Sequence, residues 1–145
     1  MRKIETQIII KATSEKVWNI LMDFDTYSEW NPFIKFISGD KNIGNNLLVK
    51  IQPDKDKIMT FKPIILKVDK NKEFRWLGKF LFKGLFDGEH YFILSQTSEG
   101  YTTLIHGEIF NGMLVGLLKG ILNKTEEGFK TMNVALKDKA ETVVK

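Results

Sequence analysis

The chain has 145 residues, a hydrophobic fraction of 43% and a net charge of +4. These values describe one globular domain able to bury roughly 70% of its unfolded surface, and they exclude a disordered chain. Cysteine is absent, which excludes disulfides, cysteine-ligated metals and a thiol nucleophile. The lysines are dispersed through turns such as Asp54-Lys55-Asp56-Lys57 and Lys70-Asn71-Lys72. A phosphate-binding surface would gather them on one face, so nucleic acid is not an expected partner. The positive charge leaves room for a weak, transient contact with an anionic membrane surface.

Met1-Arg2-Lys3-Ile4-Glu5 leads only into Ile8-Ile9-Ile10, too short for the apolar region of a signal peptide. No apolar run approaches the ~18 residues of a spanning helix. A cytoplasmic location without a transmembrane segment is therefore expected. Residues 3–11 alternate Ile4, Thr6, Ile8 and Ile10 against Lys3, Glu5, Gln7 and Lys11, the pattern of a half-buried strand. Thr13 or Ser14 can cap a helix with Glu15 in its first turn. Val17, Trp18, Leu21 and Met22 share one face of that helix. A second short helical piece starts at Asp23 or Asp25 and stops before Pro32, because the residue preceding proline is pushed to extended geometry.

The period then changes to that of strands. Ile34–Ser38 ends at Gly39-Asp40, and Leu47–Ile51 ends at Pro53. Ile58–Val68 reads as one long strand in which Pro63 marks a bulge or an edge. Glu73–Phe80 follows the Lys70-Asn71-Lys72 turn, and Phe86–Thr97 pairs with Tyr101–Phe110 across Ser98-Glu99-Gly100. Apolar residues then recur at spacings of three and four from Leu114 through Leu117/Leu118, Ile121/Leu122, Thr125, Phe129, Met132, Leu136 and Ala140 to Val143. That is one long amphipathic helix of roughly 45 Å. The expected architecture is a single α+β domain over residues 1–145. A curved antiparallel sheet of about seven strands surrounds a long C-terminal helix, with two short helices after the first strand. A straight helix laid in a strongly twisted sheet tends to leave a cavity beside it.

Several segments carry a family resemblance: Val17-Trp18, the run Asp23-Phe24-Asp25-Thr26-Tyr27-Ser28-Glu29-Trp30-Asn31-Pro32-Phe33, and Gly39. Met59-Thr60-Phe61-Lys62-Pro63, Arg75-Trp76-Leu77-Gly78 and Gly84-Leu85-Phe86-Asp87-Gly88-Glu89-His90-Tyr91-Phe92 follow in order. His106-Gly107-Glu108-Ile109-Phe110 and Gly128-Phe129-Lys130-Thr131-Met132-Asn133-Val134-Ala135-Leu136-Lys137 complete them. With these the chain resembles the START-like (SRPBCC) superfamily with the helix-grip fold, and more closely its bacterial polyketide cyclase/dehydrase and lipid transport branch. The resemblance implies a hydrophobic-ligand cavity between sheet and long helix. Members of the group range from carriers to cyclases and chaperone activators.

His90 shares a strand face with Phe92 and Leu94, and Leu104, His106, Glu108 and Phe110 share a face on the partner strand. If both faces point inward, two histidines and a glutamate stand among aromatic rings. His with Glu is a usable acid–base pair, but a histidine on an apolar face is more often a hydrogen-bonded core residue. Two histidines and one carboxylate lack the local spacing of a metal site, so no metal or other cofactor is expected. Trp30 and Phe33 read as pocket rim or as a plug between helix and sheet, with Asn31 offering an amide to a ligand or closing the turn. Gly78 and Gly88 read as strand interruptions, and residues 80–86 as a gate. The stripe Gly112, Gly116 and Gly120 reads as close helix–sheet packing or as a soft segment that lifts.

The function expected is non-catalytic binding or transport of a hydrophobic small molecule, such as a lipid, polyketide-like or aromatic compound. Its expected contacts are Trp30, Asn31, Phe33, Phe61, Trp76, Phe86, His90, Phe92, His106, Glu108, Phe110, Leu118 and Leu122. The alternatives are a cyclase or dehydratase using His90 and Glu108 as acid–base groups, and a protein-interaction module with a vestigial cavity. A monomer or weak homodimer is expected.

Overall fold

A computed structural model describes residues 1–80, 86–117 and 119–142, with the side chain of residue 80 outside the description. Strand β1 (Arg2–Ile10) is followed by α1 (Ser14–Met22), a 3-10 turn (Phe24–Thr26) and α2 (Tyr27–Trp30). Then come β2 (Ile34–Ser38), β3 (Leu48–Asp54), β4 (Lys57–Phe61), β5 (Ile64–Asp69), β6 (Glu73–Phe80), β7 (Phe86–Ser98) and β8 (Tyr101–Asn111). A 3-10 turn (Val115–Leu117) precedes α3 (Lys119–Glu141). The architecture is the α+β helix-grip arrangement expected, with antiparallel strands around a long C-terminal helix.

The strands form a five-stranded sheet, β1-β8-β7-β6-β5, and a three-stranded one, β2-β3-β4. The single strand expected over residues 58–68 is in fact two, because the chain changes sheets at Lys62-Pro63. Pro63 has no N–H to give a ladder, so a strand crossing it would lose a bond there. The two sheets remain joined. Leu47 N–H donates to the Pro63 carbonyl at 2.8 Å and Ile65 N–H to the Asn45 carbonyl at 2.9 Å, so the barrel-like curve continues from β5 into the chain before β3.

Thr13 caps α1 through its side-chain oxygen, which accepts from Lys16 N–H. Val17, Trp18 and Leu21 of α1 are buried, whereas Met22 is only partly so. The regular part of α3 starts later than its apolar pattern suggests. Met113 and Leu117 are 83% and 80% exposed, and a Cβ built on Gly116 or Gly120 meets nothing within 4 Å. Among the described residues those glycines pack against nothing, and the close approach falls instead at Gly128, whose added Cβ would collide with the Phe33 ring. The buried stripe of α3 is Leu122, Thr125, Phe129, Met132, Asn133, Leu136 and Ala140. Its twenty-three residues, at 1.5 Å each, span about 35 Å. The helix crosses the concave face from β3 to β1, tied at one end by Lys124 Nζ donating to Asp54 and at the other by Lys137 Nζ donating to the Ile9 carbonyl.

Candidate functional site

Antiparallel register places directly opposed residues on one face. Trp76 opposes His90, which opposes Glu108; one row further, Phe74 opposes Phe92, which opposes His106, which opposes Thr6. All of these side chains point to the concave face, where Trp76, His90, Phe92, His106 and Thr6 are buried. The next row in the other direction is Gly78, Gly88 and Phe110. Both strands run through their glycines without interruption, contrary to the sequence expectation. The missing side chains there are filled from elsewhere. A Cβ on Gly88 would overlap Glu108 Oε2, and one on Gly78 would come within 3.2 Å of the Phe61 ring. The glycine row is thus a hollow into which Glu108 and Phe61 lean.

Beside that hollow lies an enclosed cavity lined by Phe33, Ile51, Met59, Phe61, Phe86, His90, Glu108, Phe110, Ile121 and Thr125. Its volume is about 20 Å³, room for a single water. The roomier space expected between sheet and helix is occupied by side chains. The Phe33 ring meets Phe129 edge-on at 5.6 Å, and Phe129 stacks on His106 at 4.1 Å. A second space of about 50 Å³, lined by Pro53, Asp54, Lys57, Met59, Ile121 and Lys124, shares Met59 and Ile121 with the first. Those two side chains are the partition between the cavity and the surface at the β3–β4 hairpin. The larger depressions are open grooves. The widest, about 720 Å³, runs past Thr13, Asn71 and Gln96 and touches none of the expected contacts.

Of the thirteen contacts expected from sequence, Phe33, Phe61, Phe86, His90, Glu108 and Phe110 line the cavity. Trp76, Phe92, His106 and Leu122 are buried behind it rather than on its wall. Trp76 backs His90, the rings stacked at 4.6 Å. Asn31 is also buried, and its Oδ1 accepts from the N–H groups of Phe33 and Ile34 at 2.9 and 2.8 Å. Its carbonyl therefore closes the turn around Pro32, and its Nδ2 has no partner among the described residues. Trp30 packs edge-on against Tyr27 at 5.3 Å, away from the cavity wall. Leu118 and residues 81–85 of the gate expected over residues 80–86 lie outside the described residues.

A hydrogen-bond chain runs from the cavity wall, beneath α3, to β1. Glu108 Oε1 is 3.2 Å from His90 Nδ1, and His90 Nε2 is 2.8 Å from His106 Nε2. His106 Nδ1 is 2.8 Å from Asn133 Oδ1, and Asn133 Nδ2 donates to Thr6 Oγ1 at 2.8 Å. Thr6 Oγ1 in turn donates to the main-chain carbonyl of His106 at 2.8 Å. Burial drives every titratable member to its neutral form. The His90 pKa is lowered to about 3, and that of His106 falls well below the usual histidine value. The Glu108 pKa is raised to about 8. Near neutral pH the site is therefore a carboxylic acid hydrogen-bonded to one neutral imidazole, which is bonded in turn to a second. All four imidazole nitrogens are engaged in this chain, and among the described residues no three histidine or carboxylate side chains are placed to hold a metal ion.

Sequence reasoning missed Ile51, Met59, Ile121 and Thr125 on the wall, and Thr6 and Asn133 in the chain. Asn133 had a readable signal: it stands four residues after Phe129, a polar residue on the apolar stripe of the helix.

A family profile described as polyketide cyclase/dehydrase and lipid transport matches residues 1–141. No curated protein matches the chain. Among solved structures, a START superfamily protein from Mycobacterium smegmatis is 17% identical, with 96% of this chain and 97% of that chain covered and a TM-score of 0.74. The aromatase/cyclase Zhui from Streptomyces sp. R1128 is 14% identical, covered to 97% and 93%, with a TM-score of 0.78. StfQ, a di-domain aromatase/cyclase of the steffimycin biosynthetic pathway, is 13% identical; 96% of this chain aligns with 50% of that one at a TM-score of 0.74. At these identities the likeness is one of fold. No helix among the described residues is long and apolar enough to cross a membrane.

Proposed function

The chain belongs to the polyketide cyclase/dehydrase and lipid transport family, and from that premise and the geometry of its interior we propose that it binds a hydrophobic small molecule without transforming it. The observation that carries this reading is the enclosed apolar cavity with a neutral carboxylic acid on its wall. Pockets for small molecules combine apolar walls with a few placed polar groups. The ligand widens the cavity by displacing Met59, an unbranched and adaptable side chain, so that the inner and outer spaces merge. Burying about 200 Å² of apolar ligand surface is worth roughly 5 kcal/mol, from which the cost of that displacement is subtracted. The reading supports moderate affinity for a lipid-like or aromatic compound.

Native mass spectrometry of freshly purified protein, followed by extraction, tests it. The expected result is a one-to-one adduct that is lost on denaturation. Apo protein alone, together with an unchanged melting midpoint across a panel of apolar compounds, would overturn the proposal. The exposed Met113 and Leu117 would then become the surface to examine for a protein partner.

The hydrogen-bond chain favours a second reading, acid–base turnover with Glu108 as proton donor and His90 as its partner. A pKa near 8 suits a general acid at neutral pH. On that reading Glu108→Gln abolishes turnover of a bound substrate while leaving its binding intact. Unchanged turnover in the variant would remove Glu108 from the chemistry.

A further inference from the structure

One end of the buried hydrogen-bond chain has a chemistry that is fixed. The main-chain carbonyl of His106 only accepts, and it takes the proton of Thr6 Oγ1. That hydroxyl has one proton, so its lone pair must receive the next bond, from Asn133 Nδ2–H. With the amide nitrogen turned to Thr6, Asn133 Oδ1 faces His106 and accepts from Nδ1–H. Two gaps remain, between the Nε2 atoms of His106 and His90 and between His90 Nδ1 and Glu108 Oε1, and each holds one proton.

One proton in each gap satisfies every partner; besides the two arrangements that follow, moving only the Glu108 proton to His90 Nδ1 makes His90 an imidazolium beside a carboxylate. In the first, Glu108 Oε1–H donates to His90 Nδ1, and His90 Nε2–H donates to His106 Nε2. In the second, each proton has crossed its gap towards Asn133: His106 is an imidazolium, His90 carries its proton on Nδ1, and Glu108 is a carboxylate. No proton has left the chain and its net charge is the same. Separating two buried charges costs energy, so the first arrangement is the resting one.

All of these arrangements present the same face to the cavity. Glu108 Oε1 is engaged with His90, which leaves Oε2 for a ligand, and Oε2 carries no proton in any of them. The nitrogens of His90 are both engaged. Thr125, the third polar residue on the wall, donates its hydroxyl proton to the Ile121 carbonyl at 2.8 Å and keeps only lone pairs. Among the described residues the wall therefore accepts hydrogen bonds and donates none.

Building on the binding reading above, we infer that the cavity selects apolar ligands bearing a neutral O–H or N–H donor, such as an alcohol or a phenol. It discriminates against matched ligands whose polar group only accepts, such as ethers and ketones, and against carboxylates. An acceptor placed against Glu108 Oε2 leaves two lone pairs facing each other without a proton, and an anion adds charge repulsion and desolvation to that.

The test is titration of the full chain near neutral pH with naphthalene, naphthol, methoxynaphthalene and naphthoate, with binding read by calorimetry. Naphthol is expected to bind about tenfold tighter than methoxynaphthalene, and naphthoate more weakly than naphthalene. In Glu108→Gln the order of ligands is kept, because the amide N–H serves His90 Nδ1 and the amide oxygen takes the place of Oε2. In Glu108→Leu, naphthol and methoxynaphthalene become equal. Equal affinities in the native chain, or a preference for the ether, would overturn the inference while leaving cavity binding intact. Failure of naphthalene, naphthol and methoxynaphthalene alike to bind would overturn the binding reading, and this inference with it.

Discussion

Replacing Glu108 with Gln should make the protein progressively more stable than the native chain as pH rises. Burial holds the Glu108 carboxyl at a pKa of about 8, against 4.5 in the unfolded chain. Between those values the unfolded chain ionises and the folded one does not. The folded state then binds more protons, and stability falls with increasing pH. Below 4.5 both states are protonated and the penalty is absent; above about 8 both are ionised and it is constant. At about 1.4 kcal/mol for each pH unit crossed, the full penalty has a ceiling of about 5 kcal/mol. That corresponds to roughly 10–15 °C in the melting midpoint of a chain of this size. Gln keeps the bond to His90 and has nothing to titrate. The two histidines act in the opposite sense, costing stability as pH falls below 6.5 because their folded pKa values are depressed. They are present in both proteins and cancel in the difference. The assay is urea unfolding of both proteins across the window from 4.5 to 8. A stability difference that stays flat, or that shrinks with rising pH, would refute the neutral-acid assignment.

Two helix glycines should respond in opposite directions to alanine. Gly120→Ala, with open space around its Cβ, is expected to stabilise by up to ~1 kcal/mol. Gly128→Ala drives a methyl into the Phe33 ring and is expected to destabilise by about 1–2 kcal/mol despite the same helix gain; equal denaturation midpoints for the two variants would refute the packing described. Asn133→Leu leaves His106 Nδ1–H without its acceptor and should cost about 1–3 kcal/mol in chemical denaturation. A neutral effect would show that Asn133 does not anchor the chain. Lys124→Ala removes the bond to Asp54 across the β3–β4 hairpin and α3. Both partners are well exposed, so the melting midpoint should barely move, while stopped-flow association of naphthol should become faster. An unchanged association rate would place the ligand route elsewhere.

The inward sets on β7 and β8 were legible from alternation alone, because Phe92, Leu94, Leu104 and Phe110 left one consistent choice of face. The turn did not supply that register by itself. Ser98 pairs with Tyr101, and a shift between Gln96 and Ser98 brings His90 opposite Glu108. Pro63 reads as a bulge or an edge within one strand, because a local signal does not reveal that β4 and β5 pair with different partners. Gly78 and Gly88 misled for a related reason. A glycine in a strand reports that something comes close, and only the fold shows that it is the Phe61 ring and the Glu108 carboxyl. The helix begins later than its apolar pattern because Gly116, ahead of it, is a poor helix former with nothing among the described residues to pack on. Of the hydrogen-bond chain, sequence offered the two histidines and the glutamate. Joining them to Thr6 and Asn133 depends on how α3 lies across β1, a contact more than a hundred residues apart in the chain.

Cavity binding is tested most directly by methyl-selective NMR of the full chain titrated with naphthol. Saturable shifts centred on Ile51, Met59 and Ile121, with Met59 moving most, are the expected result. Shifts confined to exposed methyls such as Met113 and Leu117, or no shifts at all, would contradict it.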